Sequence, residues 1–308
     1  MPELETIFDG PIMPLTPENA PWLLFAPGRG ESASIRLTKA GKMSMTYEEC
    51  LASGRPSRPM PDVPSNVMEQ FSMKGKTCIV TGGSRGIGYS VAEALAEAGA
   101  HVVIVSRSDG QEVVAKADTL AERCEVRAIF RRCDVADPSQ VQALIAEVRR
   151  EFGKIDVFVA NAGLCYPDSL LDQSLDRYHE QMNVNVHGVV YCAKYVGAVF
   201  KEQGFGNFII TGSMSGQVVT VPVDHTAYNT TKAAVTHLGR SLAREWRDFA
   251  RVNIVAPGWI DTDMSTCEAS INEAHRMAVL GRQGIVPTLY GVPATTDQAD
   301  RTQAMSKS

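Results

Sequence analysis

The 308-residue chain lacks several features that would assign it to a class at once. Its seven cysteines include no Cys-x-x-Cys pair, so neither a disulfide framework nor a zinc site is indicated, and we expect reduced thiols. No apolar run approaches the ~18 residues of a membrane span. Thirty basic against 35 acidic residues leave a net charge of −5, which excludes a general attraction to nucleic acid or anionic membranes.

The N-terminal region also lacks the signals of an exported or imported protein. It has no arginine before Arg29 and carries acidic residues, unlike a secretory signal or an organelle transit peptide, so we expect a cytoplasmic protein. Residues 1–70 have no sustained periodicity and hold ten of the 16 prolines. Because proline removes amide donors and interrupts helices and strands, this composition predicts an irregular N-terminal arm over 1–70.

A regular hydrophobic pattern begins at Lys76, in a chain whose hydrophobic fraction of 44% can form a substantial core. The predicted strands are 77–80, 101–106, 126–133, 155–160, 207–211 and 252–255. The predicted helices are 89–98, 139–152, 228–249 and one that runs through Val189 and Val199. Apolar strands that alternate with helices form a parallel sheet covered on both faces. We therefore predict a doubly wound α/β domain over 71–284, with an atypical tail over 285–308.

A glycine-rich turn, Thr81-Gly82-Gly83-Ser84-Arg85-Gly86-Ile87-Gly88, follows the first predicted strand. Such a turn aims backbone amides and a helix N-terminus at a pyrophosphate, although glycines also make ordinary turns. Its place between a strand and a helix favours a dinucleotide site.

The end of the second strand carries Ser106-Arg107, where an acid would hydrogen-bond a ribose 2′-hydroxyl. Two guanidinium groups, Arg85 and Arg107, suit a phosphate dianion, which arginine can bind through two nitrogens. The alternative is a pair of solvated surface arginines. The sequence therefore predicts NADP(H) as the cofactor rather than NAD(H).

Tyr228 and Lys232 lie one helical turn apart in Tyr228-Asn229-Thr230-Thr231-Lys232. A tyrosine has an ordinary pKa of about 10, and a lysine ammonium four residues on favours the phenolate and lowers that pKa. Ser213, at the end of the strand 207–211, is a candidate donor for the oxygen on which charge develops. A Tyr-x-x-x-Lys spacing is also common by chance, as an aromatic ring packed under a lysine stem.

These segments, in this order, resemble the short-chain dehydrogenase/reductase superfamily over roughly residues 74–284. The further segments that carry the resemblance are Asp134-Val135, Asn161-Ala162-Gly163, Asn183-Val184-Asn185-Val186-His187-Gly188 and Pro257-Gly258-Trp259-Ile260-Asp261-Thr262. The segment 241–253 and the Ser-Met-Ser-Gly turn are most similar to fungal NADP-dependent polyol dehydrogenases, the mannitol 2-dehydrogenase, sorbose reductase and xylulose reductase types.

The resemblance implies a Rossmann fold and hydride transfer between NADP(H) and a ketone, with roles for four residues. Tyr228 would protonate the carbonyl oxygen, and Lys232 would bind the nicotinamide ribose and lower the tyrosine pKa. Ser213 would hold the substrate oxygen, and Asn185 would position a water in a proton relay. The implied cofactor contacts are Gly82, Ser84, Arg85, Ile87, Gly88, Ser106, Arg107, Asp134, Val135, Asn161, Ala162, Gly163, Lys194, Tyr228, Lys232, Pro257, Gly258, Ile260 and Thr262.

Some of these assignments have competitors in the sequence. Asn183 competes with Asn185, which the Val-Asn-Val-x-Gly alignment favours. Ser215 competes with Ser213, and only Ser213 is followed by the family's two residues before a glycine. Lys194 is as well explained as a solvated charge on its helix.

The chain departs from the family pattern in two places. The loop between Ser213 and Tyr228 is about two residues longer than usual, and its Asp224 and His225 either contact substrate or are solvated. After Leu280-Gly281-Arg282-Gln283-Gly284 the family continues into a helix and a last strand, which this chain lacks. The strand 252–255 is therefore predicted at an exposed edge.

The sequence thus predicts an NADPH-dependent carbonyl reductase that acts on a ketose, a polyol or a secondary-metabolite ketone. We expect a homodimer or homotetramer if the C-terminus permits one. The alternative is a non-catalytic NADPH-binding protein, inactivated by its altered C-terminus.

Overall fold

The computed structural model describes residues 64–108, 110–221, 223–265 and 268–286. All of them lie in one of the two units into which the chain divides, Val63–Ser308. Most of the predicted arm and nearly all of the predicted tail fall outside the described residues. Of the predicted arm, the structure describes only its end, where helix α1 (Val67–Gln70) makes a single turn capped by the Asn66 side chain.

Six strands form the sheet, and their bounds lie within about two residues of the predicted ones. They are β1 (Thr77–Thr81), β2 (His101–Ser106), β3 (Ala128–Arg132), β4 (Val157–Ala160), β5 (Asn207–Thr211) and β6 (Arg251–Val255). All pair in parallel in the order β3-β2-β1-β4-β5-β6. The order reverses between β1 and β4, which is where ligands bind in such sheets. The predicted doubly wound fold is confirmed.

The helices cover both faces of the sheet. Their bounds are α2 (Gly86–Glu97), α3 (Gln111–Cys124), α4 (Pro138–Phe152), α5 (Leu175–Met182), α6 (Gly188–Gln203), α7 (Thr226–Glu245) and α8 (Glu268–Met277). Helices α3, α5 and α8 were not predicted. In α3 only Ala117 and Leu120 are fully buried, so few large apolar side chains indicate this helix in the sequence.

A π-helical turn, Asn183–His187, joins α5 to α6, and the amide of Gly188 donates to the carbonyl of Asn183. One extra residue per turn shifts the register of the side chains, and such turns are frequent at functional sites. The turn therefore places Asn185 at the junction of α5 and α6.

The core has two parts, because successive strand residues point to opposite faces of the sheet. On one face Phe158 stacks on Phe208, with ring centres 5.7 Å apart, and Trp246 packs edge-on against Phe208. On the other face Val80 and Ile104 pack under α2 and α3. Within the stretches that the structure describes, no helix has the length and apolarity to cross a membrane.

Strand β6 has no strand partner on its outer side among the described residues, as the sequence predicts. Its residues alternate between exposed and half-buried, whereas every residue of β1 is buried. Beyond β6, Ile260 and Gly284 form a single parallel bridge outside the sheet.

Candidate active site

A cleft of about 860 Å³ lies at the carboxyl ends of the strands. Its walls are the glycine turn after β1, the ends of β2 to β5 and the segment 257–265. Every residue predicted for the site lines it except Asn185 and Lys194. Lys194 is an exposed residue of α6, so the structure does not bring it to the cleft with the other predicted cofactor residues.

The glycine turn is shaped by contacts that leave no space for side chains. Gly82 has a φ of +63°, and a Cβ at this position would lie 2.8 Å from the Cα of Ala162. A Cβ at Gly88 would lie 2.2 Å from the carbonyl oxygen of Gly82. The Asn161 amide donates to the carbonyls of Thr81 and Gly82, at 3.1 and 3.3 Å. Asn161 thus ties the end of β4 to the turn and fixes its backbone.

Both arginines predicted to bind a phosphate lie at the cleft, and each pairs with an acid from a distant part of the chain. Arg107 Nη1 lies 3.2 Å from Glu180 Oε1, and Arg85 Nη1 lies 3.4 Å from Asp263 Oδ2. The Ser106 hydroxyl donates to the carbonyl of Ser108 at 2.6 Å. Exposed ion pairs contribute roughly 0–1 kcal/mol, so a phosphate dianion can compete for these guanidinium groups.

Ser213, Tyr228 and Lys232 meet in the middle of the cleft. The Ser213 hydroxyl lies close enough to the Tyr228 phenol to lower its pKa as a hydrogen-bonding neighbour. Lys232 Nζ donates to the carbonyl of Thr211 at 2.8 Å and lies 5.6 Å from the centre of the Tyr228 ring. Ser215 also lines the cleft, and its backbone amide donates to the Ser213 hydroxyl at 3.1 Å. The structure therefore joins Ser213, and not its competitor Ser215, to the tyrosine.

Burial sets the ionisation of the tyrosine and the lysine in opposite directions. Burial, aided by the nearby Cys165, raises the pKa of Tyr228 to about 12, against the effect of the Ser213 hydrogen bond. Burial lowers the pKa of Lys232 to about 8. The resemblance implied a lowered pKa for Tyr228; the direction differs because loss of water around the phenol outweighs the neighbouring groups. Tyr228 is therefore protonated at neutral pH, as a proton donor must be.

Asn185 lies just behind the cleft, in the π-helical turn, and is 1% exposed. Its amide nitrogen donates to the carbonyl of Leu164 at 2.8 Å and to the Thr231 hydroxyl at 3.1 Å, while its oxygen accepts from the Leu164 amide at 2.9 Å. A Cβ on Gly163 would lie 3.3 Å from that oxygen. Its competitor Asn183 is exposed, so the structure favours Asn185 as the residue connected to the site.

The end of the cleft beyond Tyr228 contains residues that the sequence left open or missed. His225 is 7% exposed; its Nε2 lies 2.7 Å from the Thr220 hydroxyl, and burial lowers its pKa. Asp224 is exposed and outside the cleft lining. Cys165 was missed, although it follows the carboxyl end of β4 closely enough for its position alone to have suggested it.

Comparison with known families identifies the class of protein. A family model described as "Enoyl-(Acyl carrier protein) reductase", of the short-chain alcohol dehydrogenase type, matches residues 82–289. The chain belongs to the short-chain dehydrogenase/reductase family, as predicted.

Individual relatives narrow the comparison. The chain is 44% identical to a probable NADP-dependent mannitol dehydrogenase of Yarrowia lipolytica, over 67% of this chain and 74% of the relative. It is 43% identical to a sorbose reductase of Candida albicans, over 75% of this chain and 83% of the relative. Among solved structures, an NADPH-dependent 3-quinuclidinone reductase from Rhodotorula rubra superimposes with a TM-score of 0.73 at 40% identity, covering 78% of this chain and 94% of that one.

Proposed function

We propose that this protein is an NADPH-dependent carbonyl reductase that acts on ketoses and the corresponding polyols. The predicted enzyme class and cofactor are confirmed by relatives described as NADP-dependent dehydrogenases and an NADPH-dependent reductase. The observation that carries the proposed mechanism is the meeting of Ser213, Tyr228 and Lys232 in one cleft with the glycine turn.

The cleft fits a phosphorylated dinucleotide. Its volume of about 860 Å³ is at the upper end of the usual range of ligand sites, as a large ligand requires. Because Gly88 has no Cβ, the first turn of α2 can approach the glycine turn closely, and the backbone of the turn lines the cleft. Arg107 supplies cationic donors at the end of β2. In this proposal the backbone from Gly82 to Gly88 holds the pyrophosphate and Arg107 binds the 2′-phosphate. When bound, NADPH supplies the hydride.

The protein's own residues then handle the carbonyl oxygen and its proton. In our proposal Ser213 holds the substrate oxygen, and Tyr228, protonated because burial raises its pKa, donates its proton to that oxygen. Lys232, held by Thr211, stabilises the phenolate that remains. Asn185 holds the backbone of Leu164 behind the site and connects it to α7 through Thr231, which is a positioning role.

The alternative, a non-catalytic NADPH-binding protein, is favoured by one observation: among the residues that the structure describes, no strand pairs with the outer side of β6. Measuring turnover by the wild type and by the matched variant Tyr228→Phe distinguishes the two functions. We expect Tyr228→Phe to lower kcat by about 10²–10⁴, because only the proton donor is removed, with NADPH affinity nearly unchanged. NADPH oxidation should be measured with D-fructose, L-sorbose and a plain cyclic ketone. A variant that keeps more than about a tenth of the wild-type kcat contradicts the role of Tyr228; no turnover by the wild type supports the alternative.

We also propose that the protein acts in the cytoplasm as a homodimer or homotetramer. The five cysteines that the structure describes are all thiols, which suits a reducing compartment. The open edge of β6 and the exposed Val255 on it offer a surface for association. Light scattering after gel filtration measures the oligomeric state.

A further inference from the structure

Glu180 connects Arg107, which lines the cleft, to Tyr166, which comes from a different part of the chain. It lies on α5, with Oε1 3.2 Å from Arg107 Nη1. Its other oxygen, Oε2, accepts a hydrogen bond of 2.5 Å from the Tyr166 hydroxyl. These hydrogen bonds, the one from Tyr166 above the one from Arg107, lower the pKa of Glu180, so the carboxylate is charged at neutral pH.

Tyr166 is itself held at both ends, so Glu180 has a fixed support. The Tyr166 amide donates to Gln181 Oε1 at 2.7 Å, and Gln181 is completely buried. The Arg177 guanidinium lies over the Tyr166 ring, 5.1 Å from its centre. Tyr166 stands between Cys165 and Pro167, which both line the cleft. The carboxylate of Glu180 is thus anchored, through Tyr166, to the segment that forms part of the cleft wall.

We propose that Glu180 is a positioning residue for Arg107 and thereby determines how well the enzyme distinguishes NADPH from NADH. A guanidinium has five N–H donors, and Glu180 engages Nη1. Because Arg107 lines the cleft, this contact would hold the guanidinium there in one orientation and spare a phosphate the cost of ordering a free arginine side chain. The inference rests on the proposed function, which places the 2′-phosphate of NADPH at Arg107.

An acid beside an arginine can also act in the opposite way, by repelling the phosphate. The two roles differ in sign, because removal of a positioning carboxylate weakens NADPH binding and removal of a repelling one strengthens it. The geometry favours positioning, because the Glu180 carboxylate also accepts a hydrogen bond from the neutral Tyr166 phenol. That hydrogen bond draws part of the carboxylate's negative charge away from Arg107.

The test measures the dissociation constants of NADPH and NADH by fluorescence titration. We expect Glu180→Ala to weaken NADPH binding by roughly threefold to tenfold, the cost of ordering one long side chain, and to leave NADH within about twofold. Glu180→Gln, which keeps an oxygen for Arg107, should restore most of the affinity. Asp176→Asn, which removes a negative charge from an exposed position on the same helix, is the matched control and should change neither constant.

Tyr166→Phe provides a second test that leaves Glu180 and Arg107 in place, should the alanine variant not fold. We expect it to weaken NADPH selectively, and its effect should be non-additive with that of Arg107→Gln by a factor of at least about three. Tighter NADPH binding in the Glu180 variants, or equal weakening of both cofactors, overturns the positioning role. If Arg107→Gln itself leaves NADPH affinity unchanged, the assignment of the 2′-phosphate in the proposed function fails instead.

Discussion

The first and the last strands of the sheet differ in how their surroundings hold them. Every residue of β1 is buried, and the glycine turn after it is tied to β4 by Asn161. In β6 the residues alternate between exposed and half-buried, and Val255 is 45% exposed. The segment after β6 is joined to Gly284 by two backbone hydrogen bonds, from Asp261 at 2.9 Å and to Trp259 at 2.8 Å. The β1 side of the cleft is thus supported by the core, and the β6 side by fewer buried residues and by the backbone hydrogen bonds to Gly284.

This difference assigns separate properties to the two sides. The β1 side consists of buried backbone, so it tolerates no added atoms but keeps its geometry without support from other segments. A wall held by few contacts opens more easily and depends on whatever covers it. We therefore expect cofactor affinity to respond to changes near β1, and turnover and stability to respond to changes near β6.

Gly88→Ala should have the largest effect, because the added Cβ lies 2.2 Å from a backbone oxygen and 2.5 Å from the Asn161 amide. We expect the substitution to lower the free energy of unfolding by about 3 kcal/mol, the upper end of the usual cost of overpacking, and to lower the affinity for NADPH. Gly110→Ala is the control, because a Cβ there meets no atom within 4 Å. Urea unfolding and NADPH titration of both variants measure the contrast. Similar behaviour of the two would refute the idea of a rigid cofactor side.

Lys232→Met should remove a pH dependence of stability. Burial lowers the pKa of Lys232 from its ordinary 10.5 to about 8, so the unfolded chain holds this proton over a range in which the folded chain has released it. The contribution of Lys232 to the stability of the wild type should therefore grow as pH rises from about 8 toward 10.5, by an amount of order 3 kcal/mol in full.

Urea unfolding between pH 7.5 and 9 compares the two proteins, with the methionine variant nearly flat in this range. The upper limit stays near 9 because burial raises the pKa of the Cys78, Cys133 and Cys192 thiols, which act with the opposite sign above their ordinary value. A wild-type slope that persists in Lys232→Met would place the titration elsewhere.

Arg107→Gln and Ser106→Asp should change cofactor preference and leave the fold intact. A lost charge-assisted hydrogen bond of about 1.5–3 kcal/mol predicts a shift from NADPH toward NADH of roughly one to two decades. The ratio of kcat/KM for the two cofactors measures it. Unaltered preference in both variants would mean that the 2′-phosphate binds elsewhere.

A family-type ending grafted after Gly284 should have the smallest effect, and only on the β6 side. A covered edge strand should raise the melting temperature by roughly 2–4 °C per kcal/mol gained, and kcat with it, while the NADPH dissociation constant stays the same. Calorimetry and steady-state kinetics measure the three quantities. If neither the melting temperature nor kcat changes, the C-terminus of this chain is not a defect.

The local sequence pattern was sufficient to predict the strands and most of the residues that line the cleft. The bounds of β2 and β5 agree with their predictions, because a continuous apolar run bounded by polar residues indicates a buried strand without knowledge of its neighbours. Helices α5 and α8 were missed, since they are short and the residues that they bury are mostly polar: Gln181 in α5, and Ser270, Glu273 and Ala274 in α8. The position of Lys194 was not predictable either, because the helix face that meets the cleft depends on how α6 packs.

The sequence by itself determined the parallel sheet and the glycine turn, and it predicted Ser213, Tyr228 and Lys232 as site residues, because each follows from residues close together in the chain. Only the tertiary structure decided what those residues meet. It brought Glu180 to Arg107 and Asp263 to Arg85, and it raised the pKa of Tyr228 where the neighbouring lysine predicted a fall. Partners 73 and 178 residues apart are chosen by the path of the chain, and burial by everything packed around a group. Neither the partner of a side chain nor its burial depends on nearby residues alone, so a sequence motif predicts neither.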